Sequence, residues 1–200
     1  MDEKLEELVQ KPLHLIEIVR KVADETDVFK QDIIELSQKV ETLNKLLQTL
    51  LHLVQPDTAP GLYARPAQRI LSEVYTTLEK ALVFLKKCKK TEMLKRMVNT
   101  VTSADIGRVK SAIDNAIGDV SWLLNMFSSG RDGIKGRMEG LPPIASTDPM
   151  LAWVWGQIAL VHMGNPTEKE EGASYLASMA SDKDRNGVLV IEERGIPPLL

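Results

Sequence analysis

The stretch that decides the fold class runs from Phe29 to Val54 and reads FKQDIIELSQKVETLNKLLQTLLHLV. Its apolar residues recur at alternating steps of three and four, at Phe29, Ile33, Leu36, Val40, Leu43, Leu47, Leu50 and Val54. This spacing places them on one face of an α-helix, because the helix completes a turn about every 3.6 residues. The stripe continues over several heptads, so a coiled-coil seam is an alternative interpretation.

Three further segments of the first 128 residues show the same spacing, and each predicts an amphipathic helix. Their stripes are Leu8, Pro12, Leu15, Val19 and Val22; Ala67, Leu71, Val74, Leu78, Ala81, Leu85 and Cys88; and Ile106, Val109, Ile113, Ala116, Val120, Leu123 and Phe127. Four such helices in one chain favour a four-helix bundle over a coiled coil. The sequence therefore predicts an all-α fold that begins with a helical bundle over residues 1–128.

Turn-forming residues mark the boundaries between these predicted helices. Residues 55–61 contain two prolines and a glycine, which end the second helix. Pro12 is expected to mark the start of the first packed helix, since proline lacks the N–H that a helix interior needs. Ser103 or Asp105 is expected to cap the fourth helix. Residues 129–147 are rich in glycine and proline and predict a linker. After that linker, apolar periodicity resumes and predicts helices near 148–163, 167–181 and 186–194.

Composition excludes several functional classes. A net charge of −3 gives no reason to expect a nucleic-acid partner. No uninterrupted apolar stretch has the length of a membrane span, and Asp2 stands where N-myristoylation requires glycine. The one cysteine, Cys88, cannot form an internal disulfide and fits a reducing compartment such as the cytoplasm. Because Cys88 lies on the apolar stripe of the third helix, we expect it to be buried.

A dense basic cluster ends the third predicted helix. Six cations fall within residues 86–96, at Lys86, Lys87, Lys89, Lys90, Lys95 and Arg96. One interpretation is contact with an anionic lipid surface or an anionic partner, where each cation contributes roughly 1 kcal/mol. The other is a solvated helix end, since cations also suit the helix C-terminus.

Residues 182–193 read DKDRNGVLVIEE and fit the spacing of an EF-hand calcium loop. The candidate ligands are Asp182, Asp184, Asn186 and Glu193. An EF-hand needs an exiting helix, however, and residues 194–198 contain a glycine and two prolines that break one. We therefore expect no metal site in this segment.

Two tryptophans and two aspartates are further candidates. Trp153 and Trp155 stand two positions apart, hence on different faces of the predicted helix. One is expected to pack in the core, and the other is a candidate interface residue. Asp114 and Asp119 are expected to be surface and packing features rather than an acid/base pair. Gly118 is expected to mark a close approach of another element, since glycine otherwise weakens a helix interior.

Nothing in the sequence indicates catalysis or a cofactor. Walker loop, GxSxG, HExxH and CxxC patterns are all missing from the chain. The histidines share no metal-ligand spacing and stand at His14, His52 and His162. The prediction is a non-enzymatic protein without a cofactor.

Several segments together resemble the plant armadillo-repeat-only proteins. They read AIGDVSWLL at 116–124, LPPIA at 141–145, WGQIA at 155–159, and DRNGVLVIEE at 184–193 followed by GIPPL at 195–199. The likeness extends from about residue 12 to residue 200. It departs at Arg194, where a glycine is usual. The resemblance implies a bundle over 1–128, a linker over 129–147, and over 148–200 the beginning of an armadillo solenoid in a longer protein. The bundle is also similar to those of mixed-lineage-kinase-like pseudokinases and plant resistance proteins.

The resemblance also implies a function. It implies a non-enzymatic adaptor in Rho-of-plants GTPase signalling and polarised cell growth, located in the cytoplasm and peripherally at the plasma membrane. Rho-type GTPases or their regulators are the implied protein partners. The alternative is a membrane-associating bundle that uses the basic cluster. A relative of plant U-box ubiquitin ligases ranks third, because residues 128–148 leave no room for a U-box.

Overall fold

A computed structural model describes residues 5–54, 64–93, 101–128, 142–146, 149–193 and 195. These residues form seven α-helices and one short 3₁₀ helix, with no strand among them, so the predicted all-α class is confirmed. The helices are α1 (Leu5–Asp24), α2 (Lys30–Leu53), α3 (Ala64–Met93), α4 (Ser103–Ser128), α5 (Pro149–Met163), α6 (Pro166–Asp182) and α7 (Asp184–Glu192), and the 3₁₀ helix is Pro143–Ser146. Within the described part of the chain, no helix combines the length and the apolar character needed to cross a membrane.

Helices α1 to α4 share one hydrophobic core. α1 packs against α2 and α3, and α4 packs against the same two helices. The predicted stripes supply most of the largest fully buried side chains, at Leu36, Leu43, Leu47, Leu50, Leu71, Leu78, Leu85, Ile106, Ile113 and Leu123, whereas the equally buried Ile16 and Ile70 lie outside those stripes. Each such side chain contributes roughly 1.5–3 kcal/mol on leaving water, which explains why the apolar periodicity predicts these helices well.

The prediction that Pro12 begins the first packed helix is wrong. α1 begins at Leu5 and continues through Pro12, which is buried. Val9, one turn earlier, is also fully buried in the core. Burial of Val9 and Pro12 in the folded chain offsets the missing N–H, so the helix continues on both sides of the proline.

The predicted cap of α4 is displaced by one residue. Thr102 precedes the helix, and its hydroxyl oxygen accepts a hydrogen bond from the backbone N–H of Asp105 at 3.3 Å. The Asp105 carboxylate accepts in return from the Thr102 N–H at 2.9 Å. The Thr102 hydroxyl also donates to Asp105 Oδ2 at 2.7 Å, and this bond, followed by the bond from the Thr102 N–H, lowers the pKa of Asp105. The cap is therefore a reciprocal pair between Thr102 and Asp105, and Ser103 is the first helical residue.

The helix α5 has buried residues on more than one face. Leu151 and Trp155 pack into the core formed by α1 to α4. Val154, Ile158 and Val161 pack into a second core with residues of α6 and α7. Because α5 contributes to both cores, it joins the N-terminal helices (α1–α4) to the C-terminal helices (α5–α7).

Close backbone packing brings α6 against α5, and a capping box fixes the start of α6. A Cβ added at Gly172 would lie 3.0 Å from the Gln157 carbonyl oxygen, so a larger residue would require α5 and α6 to move slightly apart. Asn165 and Glu168 form a capping box at the start of α6, with backbone-to-side-chain bonds of 3.0 and 2.9 Å. Pro166 occupies the first helical turn, where its missing N–H costs little.

Candidate functional site

The basic cluster lies in the last turns of α3. Lys86 and Lys87 are exposed. Val83, one turn earlier, is 52% exposed although it is apolar. Lys80, at 68% side-chain exposure, lies one turn before Val83. Residues three and four apart lie on the same side of a helix, so these four side chains form a basic strip with one apolar member. We call Lys80, Val83, Lys86 and Lys87 the α3 strip.

The other cations of the cluster do not share this environment. Lys89 Nζ lies 2.5 Å from the carboxylate of Glu25, the residue that follows α1, and this contact lowers the pKa of Glu25. Lys89 therefore links α3 to α1 within the protein. Lys90 belongs to α3, but its side chain lies outside what the structure describes, and Lys95 and Arg96 fall outside the described residues altogether.

The EF-hand-like segment forms a helix rather than a loop. Residues Asp184–Glu192 are α7, and Asp182 is the last residue of α6. A calcium loop must fold around the ion, and a continuous helix cannot direct its side chains to a common centre. Among the described residues, no group of three or more His, Cys, Asp or Glu side chains could hold a metal ion.

The two tryptophans have opposite environments. Trp155 is 2% exposed, and its ring centroid lies 5.7 Å from that of Trp122 on α4. Trp153 is 53% exposed. Trp155 thus packs inside the protein, and Trp153 is the member of the pair that a partner could contact.

Glu193, the last of the EF-hand candidates, has a different role. Its side chain is 1% exposed. One carboxylate oxygen accepts a hydrogen bond from the Trp155 indole Nε1 at 2.8 Å, and the other lies 2.5 Å from Arg69 Nη1 on α3. A buried carboxylate is costly unless it is paired, and here both oxygens have donors.

A second arginine of α3 reaches the same end of α7. Arg65 Nε donates to the backbone carbonyl of Glu192 at 2.9 Å, and Arg65 Nη1 also lies 3.2 Å from the Gln68 side chain. The last carbonyls of a helix lack partners within the helix and carry partial negative charge, so a cation suits them. We call the contacts of Arg65 and Arg69 with α7, together with the Trp155 hydrogen bond, the α3–α7 joint.

Asp119 makes a further contact beside this joint. Its carboxylate accepts a hydrogen bond from the Ile144 backbone N–H at 2.8 Å. Burial raises the pKa of Asp119 to about 6, against the opposing effect of that bond, and Glu73 adds to the rise. A Cβ added to Gly118 would lie 2.6 Å from Pro143 Cγ, so the close approach predicted at Gly118 is to the 3₁₀ helix. These contacts fix the 3₁₀ helix on α4.

Asp114 has a separate and simpler environment. Its side chain is 51% exposed and lies 2.5 Å from Lys39 Nζ on α2. Asp114 therefore links α4 to α2 at the surface, while Asp119 is buried against the 3₁₀ helix. As predicted, Asp114 is a surface residue and Asp119 is a packing residue.

A groove of about 740 Å³ lies between α3, α4 and the 3₁₀ helix. Its walls mix basic, acidic, amide and apolar side chains, including Arg69, Glu73, Asn115, Asp119, Pro143 and Leu151. Arg69 and Asp119 are already engaged with Glu193 and Ile144. A lining of mixed charge favours no single class of ligand, so we assign no binding role to the groove.

Exposed apolar side chains concentrate on the C-terminal helices. Among the described residues, five of the eight large apolar side chains that are exposed belong to α5–α7: Met150, Trp153, Tyr175, Val188 and Ile191. Ile191 is 61% exposed and Val188 is 52% exposed, and they lie one turn apart on α7. Contiguous exposed apolar surface is typical of sites that contact other proteins. We call Val188 and Ile191 the α7 face.

Cys88 and two of the histidines carry no special chemistry. Cys88 is fully buried, as predicted, and burial raises the pKa of its thiol. A buried thiol with a raised pKa is a poor nucleophile, since the thiolate is the reactive form. His14 on α1 and His52 on α2 are exposed, and the His162 side chain lies outside what the structure describes.

Sequence reasoning missed the α3–α7 joint. Arg69 and Glu193 are 124 positions apart, and no local motif links them. The one available signal was the EF-hand pattern, which singled out Glu193 for the wrong reason.

Comparison with known proteins gives one family match. Residues 6–128 match the family described as Domain of unknown function (DUF7792). The match covers nearly all of α1 to α4 and more than half of the chain. No curated protein and no solved structure matches the chain.

Proposed function

The chain belongs to the DUF7792 family, and from that premise we propose that it is a non-enzymatic scaffold that binds a protein partner with its C-terminal helices. The observation that carries the proposal is the concentration of exposed apolar side chains on α5–α7. Such side chains are costly to leave in water, and a partner surface that covers them recovers that cost. Trp and Tyr, both present here, are enriched among the residues that dominate binding energy.

The finer architecture belongs to the same proposal. α1–α4 are a four-helix bundle, similar to those of mixed-lineage-kinase-like pseudokinases and plant resistance proteins. α5–α7 are the first helices of an armadillo-type stack. Two features support this: each of α1 to α4 packs against two others around one core, and Gly195 closely follows α7, as at an armadillo junction.

Rho-type GTPases or their regulators are the proposed partners, on the resemblance to armadillo-repeat-only proteins. Residues 148–200 contain eight acidic and four basic residues, a net charge of −4. That charge favours a partner with a basic contact surface over an acidic one. The proposal places the chain in the cytoplasm, near the plasma membrane.

The test is a pull-down of purified Rho-type GTPases and their exchange factors by the unmodified chain and by a Val188→Asp/Ile191→Asp variant. Two exposed apolar residues become charged, so binding should fall at least tenfold while the helical content stays unchanged. Ile34→Asp is the matched control, since Ile34 is 45% exposed but lies on α2. Equal loss in the control, or retention in the α7 variant, would place the contact elsewhere.

A second candidate function is peripheral contact with anionic lipid through the α3 strip. The supporting observation is that exposed Lys86 and Lys87 lie beside an exposed valine on the same side of α3. Lysines supply attraction to the anionic headgroups, and the valine would enter the interface.

Liposome sedimentation tests this second candidate. Vesicles of phosphatidylcholine with phosphatidylserine should retain the unmodified chain and release a Lys86→Glu/Lys87→Glu variant. Lys30→Glu/Lys45→Glu is the charge-matched control, because both lysines are exposed on α2. If the unmodified chain does not sediment, or if both variants lose binding equally, the α3 strip is not a lipid site.

A further inference from the structure

The helix α5 could not be stable with the C-terminal helices alone. Leu151 is 1% exposed and Trp155 is 2% exposed, and both are buried against the N-terminal helices. The adjacent part of the helix surface, with Val154 and Ile158, is buried against α6 and α7. An apolar surface this wide needs a neighbour along each part of it.

We infer that the N-terminal helices serve as the end cap of the helical stack that α5 to α7 begin. In a stack of helical repeats, each repeat covers its neighbour, and the terminal unit needs a cap that is apolar inside and polar outside. α1–α4 meet this description: their shared core includes Leu151 and Trp155, while their outer faces carry the charged residues of the amphipathic helices. This role is independent of the partner that the C-terminal helices bind.

The α3–α7 joint sets the orientation of this cap. Apolar contacts with α5 would permit several rotations, since dispersion has little directional preference. Glu193 removes that freedom, because its buried carboxylate is satisfied only when Trp155 of α5 and Arg69 of α3 both reach it. Arg65 adds a third fixed point at the Glu192 carbonyl.

The burial of Leu151 and Trp155 decides whether the cap can separate from the C-terminal helices. Separation would expose both side chains to water, and the hydrophobic effect opposes this. The cap therefore stays closed in the native protein.

The test uses the 200-residue chain, cleaved at one position after it has folded. A protease recognition sequence is inserted between Gly133 and Gly136, in the segment that the sequence predicts to be a linker, and the folded protein is cleaved. The two pieces should elute together from a size-exclusion column at the volume of the uncut protein, and remain associated on dilution to nanomolar concentration. Elution as two separate folded pieces would overturn the inference.

Variants locate the orientation-setting contacts. In the nicked protein, Arg69→Ala should weaken association of the pieces at least tenfold. Arg20→Ala is the control, since Arg20 pairs with Glu17 and Glu41 within the N-terminal piece. Undiminished association with Arg69→Ala would show that the joint does not orient the cap. If Arg69→Ala prevents folding, Arg69→Lys is measured in the same assay instead. Lysine retains the positive charge, so association of the two pieces should weaken measurably but less than tenfold. Partner binding plays no part in this assay, so its outcome is separable from the proposed function.

Discussion

Replacing Glu193 by alanine is the sharpest perturbation of the junction between α3, α5 and α7. The side chain is 1% exposed, so its removal leaves a small buried gap. Two contacts disappear with it: the hydrogen bond from Trp155 Nε1 at 2.8 Å and the ion pair with Arg69 at 2.5 Å. The indole N–H then stays buried without its acceptor.

The cost follows from these two groups. A buried donor left without a partner costs about 1–3 kcal/mol. Breaking a fully buried ion pair costs about 3–5 kcal/mol, but the Arg69 side chain is 43% exposed and water can solvate it, so its share is smaller. We expect Glu193→Ala to lower the free energy of unfolding by about 2–4 kcal/mol. For a chain of this size the melting temperature would fall by roughly 4–16 °C.

Urea denaturation followed by circular dichroism measures the loss. Glu193→Gln should give a smaller decrease than Glu193→Ala, because the amide oxygen still accepts from Trp155 while the ion pair is lost. The matched control is Glu17→Ala: Glu17 is 67% exposed and lies 3.6 Å from Arg20. It should change the stability by less than about 0.5 kcal/mol. A loss no larger for Glu193→Ala than for Glu17→Ala would refute the account of the joint.

Three further predictions concern buried groups. Burial raises the pKa of Asp119 to about 6 from its ordinary 3.8. As the pH falls, the Asp119 carboxylate therefore binds a proton in the folded chain before it does so in the unfolded chain. We therefore expect the unmodified chain to gain stability relative to Asp119→Asn as the pH falls from 7.5 to 4.5, with the unfolding free energies measured by urea titration. A difference in unfolding free energy that stays constant over this range would contradict the prediction. Gly118→Ala should lower the stability by about 1–3 kcal/mol in the same assay despite the better helix propensity of alanine, because the new Cβ would lie 2.6 Å from Pro143 Cγ. Equal or higher stability would show that the 3₁₀ helix yields without cost. Cys88 should react with an aromatic disulfide reagent only as the chain unfolds, since it is fully buried, and immediate full reaction in the native state would be inconsistent with this packing.

The predicted helices follow from a local property of the sequence. Burial of leucine, isoleucine and valine on one face stabilises a helix wherever the 3.6-residue period is present, as in α2 with Leu36, Leu43 and Leu50. The same reasoning predicted the burial of Cys88. Periodicity does not depend on the partner helix, so it can be read without knowing the tertiary structure.

Features that depend on tertiary contact were beyond the reach of the sequence. Pro12 is tolerated because it and Val9, one turn earlier, are buried in the folded chain, and no local rule contains that information. Two tryptophans on different faces predicted one buried and one exposed ring, but only the neighbouring Trp122 and Glu193 decide that Trp155 is the buried one. The local sequence pattern makes Glu193 a candidate calcium ligand, whereas in the structure its carboxylate contacts Arg69 of α3 and Trp155 of α5.

The three tryptophans offer the most direct test of the claim that the N-terminal helices cap the C-terminal ones. Trp122, Trp153 and Trp155 are the only tryptophans of the chain, and all three belong to α4 or α5. Their fluorescence therefore reports on the junction, while circular dichroism at 222 nm reports on all helices. Urea unfolding should give one transition with the same midpoint by both probes, because Leu151 and Trp155 belong to the core of the N-terminal helices and the loss of α5 from that core weakens both parts. A fluorescence midpoint at clearly lower urea, with most of the helical signal retained, would mean that the C-terminal helices unfold independently and would contradict the account.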